Sequence, residues 1–155
     1  MSATTHRVRV VEARRIKHPV FPEIEKHYFL VRASELPNGI RTDANARDPK
    51  GLKRRVYQDV RRSLMGEDTK IGTFDLMNKG IVCLAESVKR VTDDLYELEI
   101  DDGQGIVDGG HTYRIIIEAQ NDQQLPLDQC VELQVRTGIE QELITDISRG
   151  LNTAI

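Results

Sequence analysis

Tryptophan is absent from this 155-residue chain, cysteine occurs twice, and no apolar run nears the roughly 20 residues that a membrane-spanning helix needs. The last absence excludes helical insertion into a membrane. Cys83 and Cys130 each lie alone in strand-like sequence, GIVCLA and QCVELQV, which favours reduced, buried thiols over a disulfide or a metal ligand. His6, His18, His27 and His111 are scattered without metal-ligand spacing. The opening MSATTHRVRVVEARR lacks the apolar block and small-residue cleavage site of a secretion signal, so a cytoplasmic protein is expected. Repeats, low-complexity runs and long linkers are also missing, and the length suits one domain spanning residues 1–155.

What is present divides by charge. Residues 1–62 carry 15 Lys or Arg against 7 Asp or Glu, a balance of +8, whereas residues 63–155 carry 7 against 18, a balance of −11. Such a split steers an anionic partner toward one face, unless the two halves interleave in space and cancel each other's field. The segment DPKGLKRRVYQDVRRSLMG places Leu52, Val56, Val60 and Leu64 at intervals of four, an apolar stripe on a helix that Gly66 would stop. Between residues 50 and 62 its back carries Lys50, Lys53, Arg54, Arg55, Arg61 and Arg62 against one acid, Asp59. Arg54, Arg55, Arg61 and Arg62 are therefore candidate contacts to nucleic-acid phosphates, with a merely solvated basic face as the competing reading.

The rest of the chain reads mainly as sheet. HRVRVVEARRI suits a first strand and Tyr28–Val31 a second, with Leu36-Pro37-Asn38-Gly39 as a turn. Phe74–Met77 reads as a short sheet segment before the turn Asn78-Lys79-Gly80; Ile81–Leu84, Leu95–Ile100, Ile106-Val107 and Cys130–Val135 follow as strands. The strands at 81–84 and 95–100 are expected to form a hairpin flanking 106–107. Tyr113, Ile116 and Ile117 fit a helix over 112–120, and Ile139, Leu143 and Ile147 one side of a helix over 140–149. The expected class is α+β, a mixed sheet over residues 71–135 packed with helices, with Leu52, Val56, Val60 and Leu64 on the same core and Met65 and Met77 as core fillers.

The stretch GIVDGGHTYRII runs from strand through Asp108-Gly109-Gly110-His111-Thr112 into helix. Glycines permit a tight bend or close backbone approach, and a helix start presents N–H groups that suit an anion. The hydroxyl of Thr112 and a ring nitrogen of His111 add donors. Asp108 and His111 are the candidate catalytic pair for phosphoryl transfer or hydrolysis, with Asp108 orienting His111 or holding a divalent ion. No cofactor is fixed by the sequence; Mg²⁺ is the ion that this chemistry favours. The competing reading is a structural turn in which Asp108 caps the helix.

FDLMNKGIVCLAESV, GIVDGGHTYRIIIEA and DISRGLNTAI, in that order, resemble the abortive infection phage resistance family. Asn78, Gly80 and Ile81 match its Asn-Gly-Ile element; Asp108, Gly109, His111 and Thr112 match its Asn/Asp-Gly-x-Gln/His-Thr element; Asn152 matches a late helical asparagine. Asn45 and Arg47 resemble an upstream Asn-x-Arg element. The resemblance implies that Asn45, Arg47 and Asn78 line a pocket with Gly109, Gly110 and Thr112, in a nucleotide- or nucleic-acid-binding module of a prokaryotic phage-defence protein. Family members are generally longer, which implies an N-terminal domain or a truncated fragment whose further partner is a protein or its own missing C-terminal domain. More remotely, the glycine turn resembles the Asp-Gly-Gln-His-Arg proteins and the chromosome-partitioning ParB and sulfiredoxin group. Thr112 stands where the former place arginine and Gly110 where the partitioning proteins place an acid, and no cysteine lies in the turn. A non-catalytic structural or protein-interaction domain without a phosphate site is the alternative.

Overall fold

In the computed structural model, residues 3–42, 44 and 54–153 are described. Strands β1 (Thr4–Arg9), β2 (Glu12–Lys17) and β3 (Glu25–Arg32) lead to a short 3₁₀ turn, Ala33–Glu35. Helices α1 (Arg54–Met65) and α2 (Phe74–Met77) precede β4 (Ile81–Leu84), β5 (Ser87–Arg90), β6 (Leu95–Ile100) and β7 (Gly105–Asp108). Helix α3 (Gly110–Ala119), β8 (Cys130–Thr137) and α4 (Gln141–Thr153) complete the order.

These elements form an α+β fold with two sheets. One has the order β1-β6-β5, antiparallel throughout; the other has the order β2-β3-β8-β4-β7, in which β4 and β8 run parallel. The opening HRVRVVEARRI is two strands rather than one. Val10 donates its N–H to the Asp94 carbonyl at 2.7 Å and Val11 donates to Leu30 at 2.7 Å, so adjacent residues serve different sheets. Strands β4 and β6 do not form the expected hairpin either: β4 pairs with β7 and β8, and β6 with β1 and β5. Periodicity defines a strand's two faces but not which neighbour it joins.

The main core draws on both sheets and on the helices, with Val8, Leu98 and Ile100 from one sheet, Phe29, Val31 and Leu133 from the other, and Leu64, Tyr113 and Ile116 from α1 and α3. Helix α3 forms despite three consecutive β-branched isoleucines, because Ile115 and Ile116 are both buried and tertiary packing outweighs a weak local preference. In α1 the stripe is only partly internal: Leu64 is buried and Val60 packs against the core, but Val56 is 44% exposed, and Leu52 lies outside the described residues. Gly66, at φ +75°, ends the helix as expected.

Phe74–Met77 is a helical turn, not a sheet segment, and the cause is a buried amide. Gln129, fully enclosed, accepts the N–H groups of Gly72 (2.9 Å) and Phe74 (3.4 Å) and donates to the carbonyls of Ser63 (3.0 Å) and Leu64 (2.8 Å). One side chain thereby fastens the end of α1 to the start of α2. Phe74 turns inward, while Met77 is 62% exposed and fills no core space.

A second, smaller cluster lies on the opposite face of the five-stranded sheet, where α4 covers Leu84 and Val107 with Ile144. Leu143, expected on that face, is 37% exposed; the buried positions on α4 are Ile144, Ser148 and Asn152, which follow the i, i+4 row. In β7 the pairing shifts between Val82 and Cys83. Cys83 faces Ile106 but Val82 faces Asp108, so Val107 is an extra residue bulged beneath α4.

Candidate functional site

The bulge delivers Asp108 beside Val82, and the chain then reverses through Gly109 into α3. Gly109 is the residue before the helix and has φ +80°, a left-handed conformation in which a side chain is strained. A Cβ there would also overlap the Gly80 carbonyl oxygen and come within 2.9 Å of the Ile81 Cα. Gly80, at φ +86°, is itself pressed on β8, since its Cβ would lie 2.6 Å from the Glu132 carbonyl oxygen. Two glycine turns are thus nested one on the other, which brings Asn78-Lys79-Gly80 against Asp108–Thr112.

Asn78 spans this junction. The Gly80 N–H donates to its Oδ1 at 2.8 Å, and its Nδ2 donates to the Thr112 Oγ1 at 3.1 Å. The first bond orients the amide, so the second has only one direction: Thr112 accepts, and its own hydroxyl hydrogen remains to donate elsewhere. Gly109 is the N-cap residue and makes no side-chain cap bond, so Asp108, one residue earlier, is not the helix cap. The first-turn N–H groups of this 10-residue helix, whose first internal bond runs from Tyr113 N–H to the Gly109 carbonyl at 2.9 Å, point back toward the turn.

Around the turn lies a cavity of ≈ 440 Å³. Asp108, Gly109, Gly110, His111 and Thr112 line it together with Asn78 and Gly80. Lys79 and Asn152 also reach it, while Val56, Val60, Met77 and Ile115 form an apolar wall. Asn152 is held by its own amide, which donates to the carbonyls of Val107 (2.8 Å) and Ser148 (2.6 Å). Six of the expected residues therefore converge: Asp108, Gly109, Gly110, His111, Thr112 and Asn78. Asn45 and Arg47 lie outside the described residues. Lys79 and the apolar wall escaped the sequence reading; Lys79 was visible inside the matched turn, but Val56 was expected in the core from its spacing and Met77 from methionine's gap-filling chemistry, and both are exposed.

Electrostatically the cleft is mixed. Burial pulls the Arg136 guanidinium below its usual range, while Tyr28 and Asp108 act against that shift, so Asp108 stands in the field of a half-buried cation. Arg136 also donates to Gln134 at 2.6 Å. Among the described residues no group of three or more His, Cys, Asp or Glu is placed to hold a metal. Asp108 alone would retain Mg²⁺ only alongside phosphate oxygens, as is usual for that ion.

The basic helix is less available than its sequence suggests. Arg54 and Arg55 are exposed on α1, but Arg61 pairs with Asp122 at 3.4 Å and Arg62 with Asp59 at 2.5 Å and Asp68 at 3.8 Å. The nearby acids come from the acidic part of the chain and from α1 itself, so the halves do interleave and offset each other here.

The AIPR protein family pattern matches residues 43–154. That interval includes the Asn78 turn, the Asp108–Thr112 turn and Asn152. No curated protein and no solved structure matches the chain. The chain belongs to the AIPR, or abortive infection phage resistance, family.

Proposed function

We propose that this AIPR chain is the phosphate-binding module of a phage-defence protein, holding a nucleotide with its phosphates at the N-terminus of α3. The observation that carries the proposal is the convergence of three sequence-distant segments, Asn78–Gly80, Asp108–Thr112 and Asn152, on one cleft of ≈ 440 Å³. That volume lies in the range of small-molecule sites, about 300–1,000 Å³. Backbone N–H groups, the Thr112 hydroxyl and Lys79 supply donors for phosphate, and Val56, Val60, Met77 and Ile115 offer an apolar wall to a base. The likeness to ParB and sulfiredoxin enters only through the glycine turn, because Gly110 and Thr112 supply neither its acid nor the arginine of the Asp-Gly-Gln-His-Arg proteins. A cytoplasmic, single-domain chain acting as the N-terminal part of a longer protein is included in the proposal.

Weak phosphohydrolysis is a second reading, supported by Asp108 and His111 on the same cleft. Asp108 and phosphate oxygens together would hold Mg²⁺, which supplies charge neutralisation; His111 would move the proton. Nucleic acid is the larger ligand of the same chemistry, with Arg54 and Arg55 as the exposed cations. Against all of these, a purely structural or protein-docking role is favoured by the bonds that already tie the walls together, Asn78 to Thr112 and Asn152 to Val107.

A titration with ADP and ATP, with and without Mg²⁺, followed by amide NMR, tests the proposal. Gly110, His111 and Thr112 should be among the most shifted residues. Thr112→Val should weaken binding by about 0.5–2 kcal/mol, whereas Thr112→Ser, which keeps both the acceptor for Asn78 and the hydroxyl donor, should restore it. His111→Gln should retain binding, and should lower turnover if a ring proton is transferred. Absence of any shift over residues 108–112 overturns the phosphate site.

A further inference from the structure

The two sheets leave a second cleft, remote in sequence from the α3 turn. Its volume is ≈ 410 Å³. Arg14 and Arg15 of β2, His27 of β3 and Arg90 of β5 line it, and among the described residues no lining side chain carries a carboxylate. Ala13, Phe29, Val88 and Tyr96 supply the apolar surface. Strand register builds this arrangement: Arg15 stands opposite His27 across β2 and β3, and Arg90 opposite Tyr96 across β5 and β6. The rings of Phe29 and Tyr96, from different sheets, meet at 4.8 Å and join the two walls.

Each of the two arginines Arg15 and Arg90 has one acid beside it, and neither acid lines the cleft. Glu25 is the acid shared by Arg15 (3.9 Å) and His27 (3.4 Å), and Arg90 meets Asp93 at 3.3 Å on the solvent side, where the Asp93 side chain is fully exposed. Arg14 contributes to the cleft through the strand only: it stands opposite Tyr28, and its side chain leaves β2 on the other face. Burial holds the His27 imidazole below its usual pKa, opposed by Glu25 and reinforced by Arg15. An anion between Arg15 and Arg90 would offset their mutual repulsion, and guanidinium forks match phosphate oxygens in pairs.

We propose that the cleft between β2–β3 and β5–β6 binds a phosphate-bearing anion of nucleotide size, gripped by Arg15 and Arg90 from its two walls and flanked by the Tyr96 ring. Free phosphate and a nucleotide share that chemistry. The site uses none of the residues at the α3 turn, so each stands or falls separately.

Inorganic pyrophosphate and AMP, titrated separately into the full chain at about 0.15 M salt, where screening suppresses loose surface attraction, are the probes. Saturable NMR shifts are expected at residues 13–15, 27–29 and 88–90. Arg15 and Arg90 have side chains 61% and 60% exposed, so the double variant Arg15→Gln/Arg90→Gln should fold, as its unliganded spectrum would verify. It should bind pyrophosphate at least about tenfold more weakly, each charged hydrogen bond contributing about that factor. Thr112→Val should leave these shifts unchanged. Tighter AMP binding that Tyr96→Leu abolishes assigns the site to nucleotides; equal or weaker AMP binding assigns it to free phosphate. The proposal is overturned if no saturable shift occurs at these residues, or if the folded double variant binds both probes as tightly as the parent. In either case the arginines on β2 only guard a sheet edge.

Discussion

Replacing Gly109 by alanine separates two costs that are usually merged. The left-handed backbone at φ +80° costs an L-residue about 1–2 kcal/mol. The new methyl group must also displace the backbone of Gly80 and Ile81, and forced overpacking of this kind costs about 1–3 kcal/mol more. The total, about 2–5 kcal/mol, is a large fraction of the roughly 5–15 kcal/mol that stabilises a typical domain. Gly72→Ala is the matched control: its φ is +96°, yet nothing lies within 4 Å of the added carbon, so only the backbone cost of about 1–2 kcal/mol applies. Gly150→Ala, inside α4 and facing open space, should stabilise by about 0.5–1 kcal/mol. Because the chain has no tryptophan, urea unfolding is best followed by far-ultraviolet circular dichroism and tyrosine emission, with unchanged denaturant slopes required before midpoints are compared. Should Gly109→Ala cost no more than Gly72→Ala, the nesting of the two glycine turns is wrong. A bulkier Gly109→Val would disturb the fold before it told anything about ligand approach.

Gln129→Met keeps bulk but orphans the buried Phe74 N–H and Leu64 carbonyl, while water can reach the Gly72 N–H and Gly66 still donates to Ser63, and it should destabilise by about 2–4 kcal/mol in the same assay; a loss below about 1 kcal/mol would contradict its bonds. Burial pushes the Cys83 thiol up to about 12, whereas an unfolded thiol ionises near about 8.5. The unfolded chain therefore releases a proton that the folded chain keeps, and stability falls as pH rises through that window, by up to about 1.4 kcal/mol per pH unit, with no contribution below it. Cys83→Ala should flatten that alkaline slope in pH-dependent urea melts; an unaltered slope would show that the thiol is not the group concerned. If α1 meets nucleic acid, Arg54→Gln with Arg55→Gln should reduce affinity and salt slope in fluorescence anisotropy more than Arg61→Gln with Arg62→Gln, since the latter pair already faces acids; equal effects would remove that distinction.

The sequence was most legible where a motif and a periodic run coincided. The strand, Asp108–Thr112 turn and Tyr113–Ile116 helix were readable because glycine chemistry and i, i+3 spacing agree there, and the helix begins at Gly110, two residues before the expected start. Pairing was not readable. The change of sheet at Val10-Val11 leaves no mark on the alternation of HRVRVVEARRI, and β5 lies in a short polar segment, SVKR, whose strand character comes from β6. Phe74–Met77 was misassigned because its helical turn depends on Gln129, more than 50 residues downstream. Local chemistry and motif order pick out six residues that line one cleft, whereas Val56 lies outside the core because a repeat of four says which residues share a face without saying how far the neighbouring layer reaches, and Met77 because it sits on the turn that Gln129 directs.

The bulge in β7 makes the strand behave as a phase shifter. Along an unbroken strand, Asp108 would alternate away from Val107 and share the side of Ile106; with one residue extruded, it stands opposite Val82 instead. The sheet therefore meets two demands in four residues, Ile106 to one core and Val107 to the other, before the frame is reset for the turn. Flattening the bulge with no residue removed would leave every letter of Asp-Gly-Gly-His-Thr intact while rotating the carboxylate to the side of Ile106, whereas deleting Val107 would keep Asp108 opposite Val82 and strip α4 of the side chain it covers. Letters and spacing are thus read together with the bulge, because the same four residues on a regular strand would carry the motif with its carboxylate in the wrong layer.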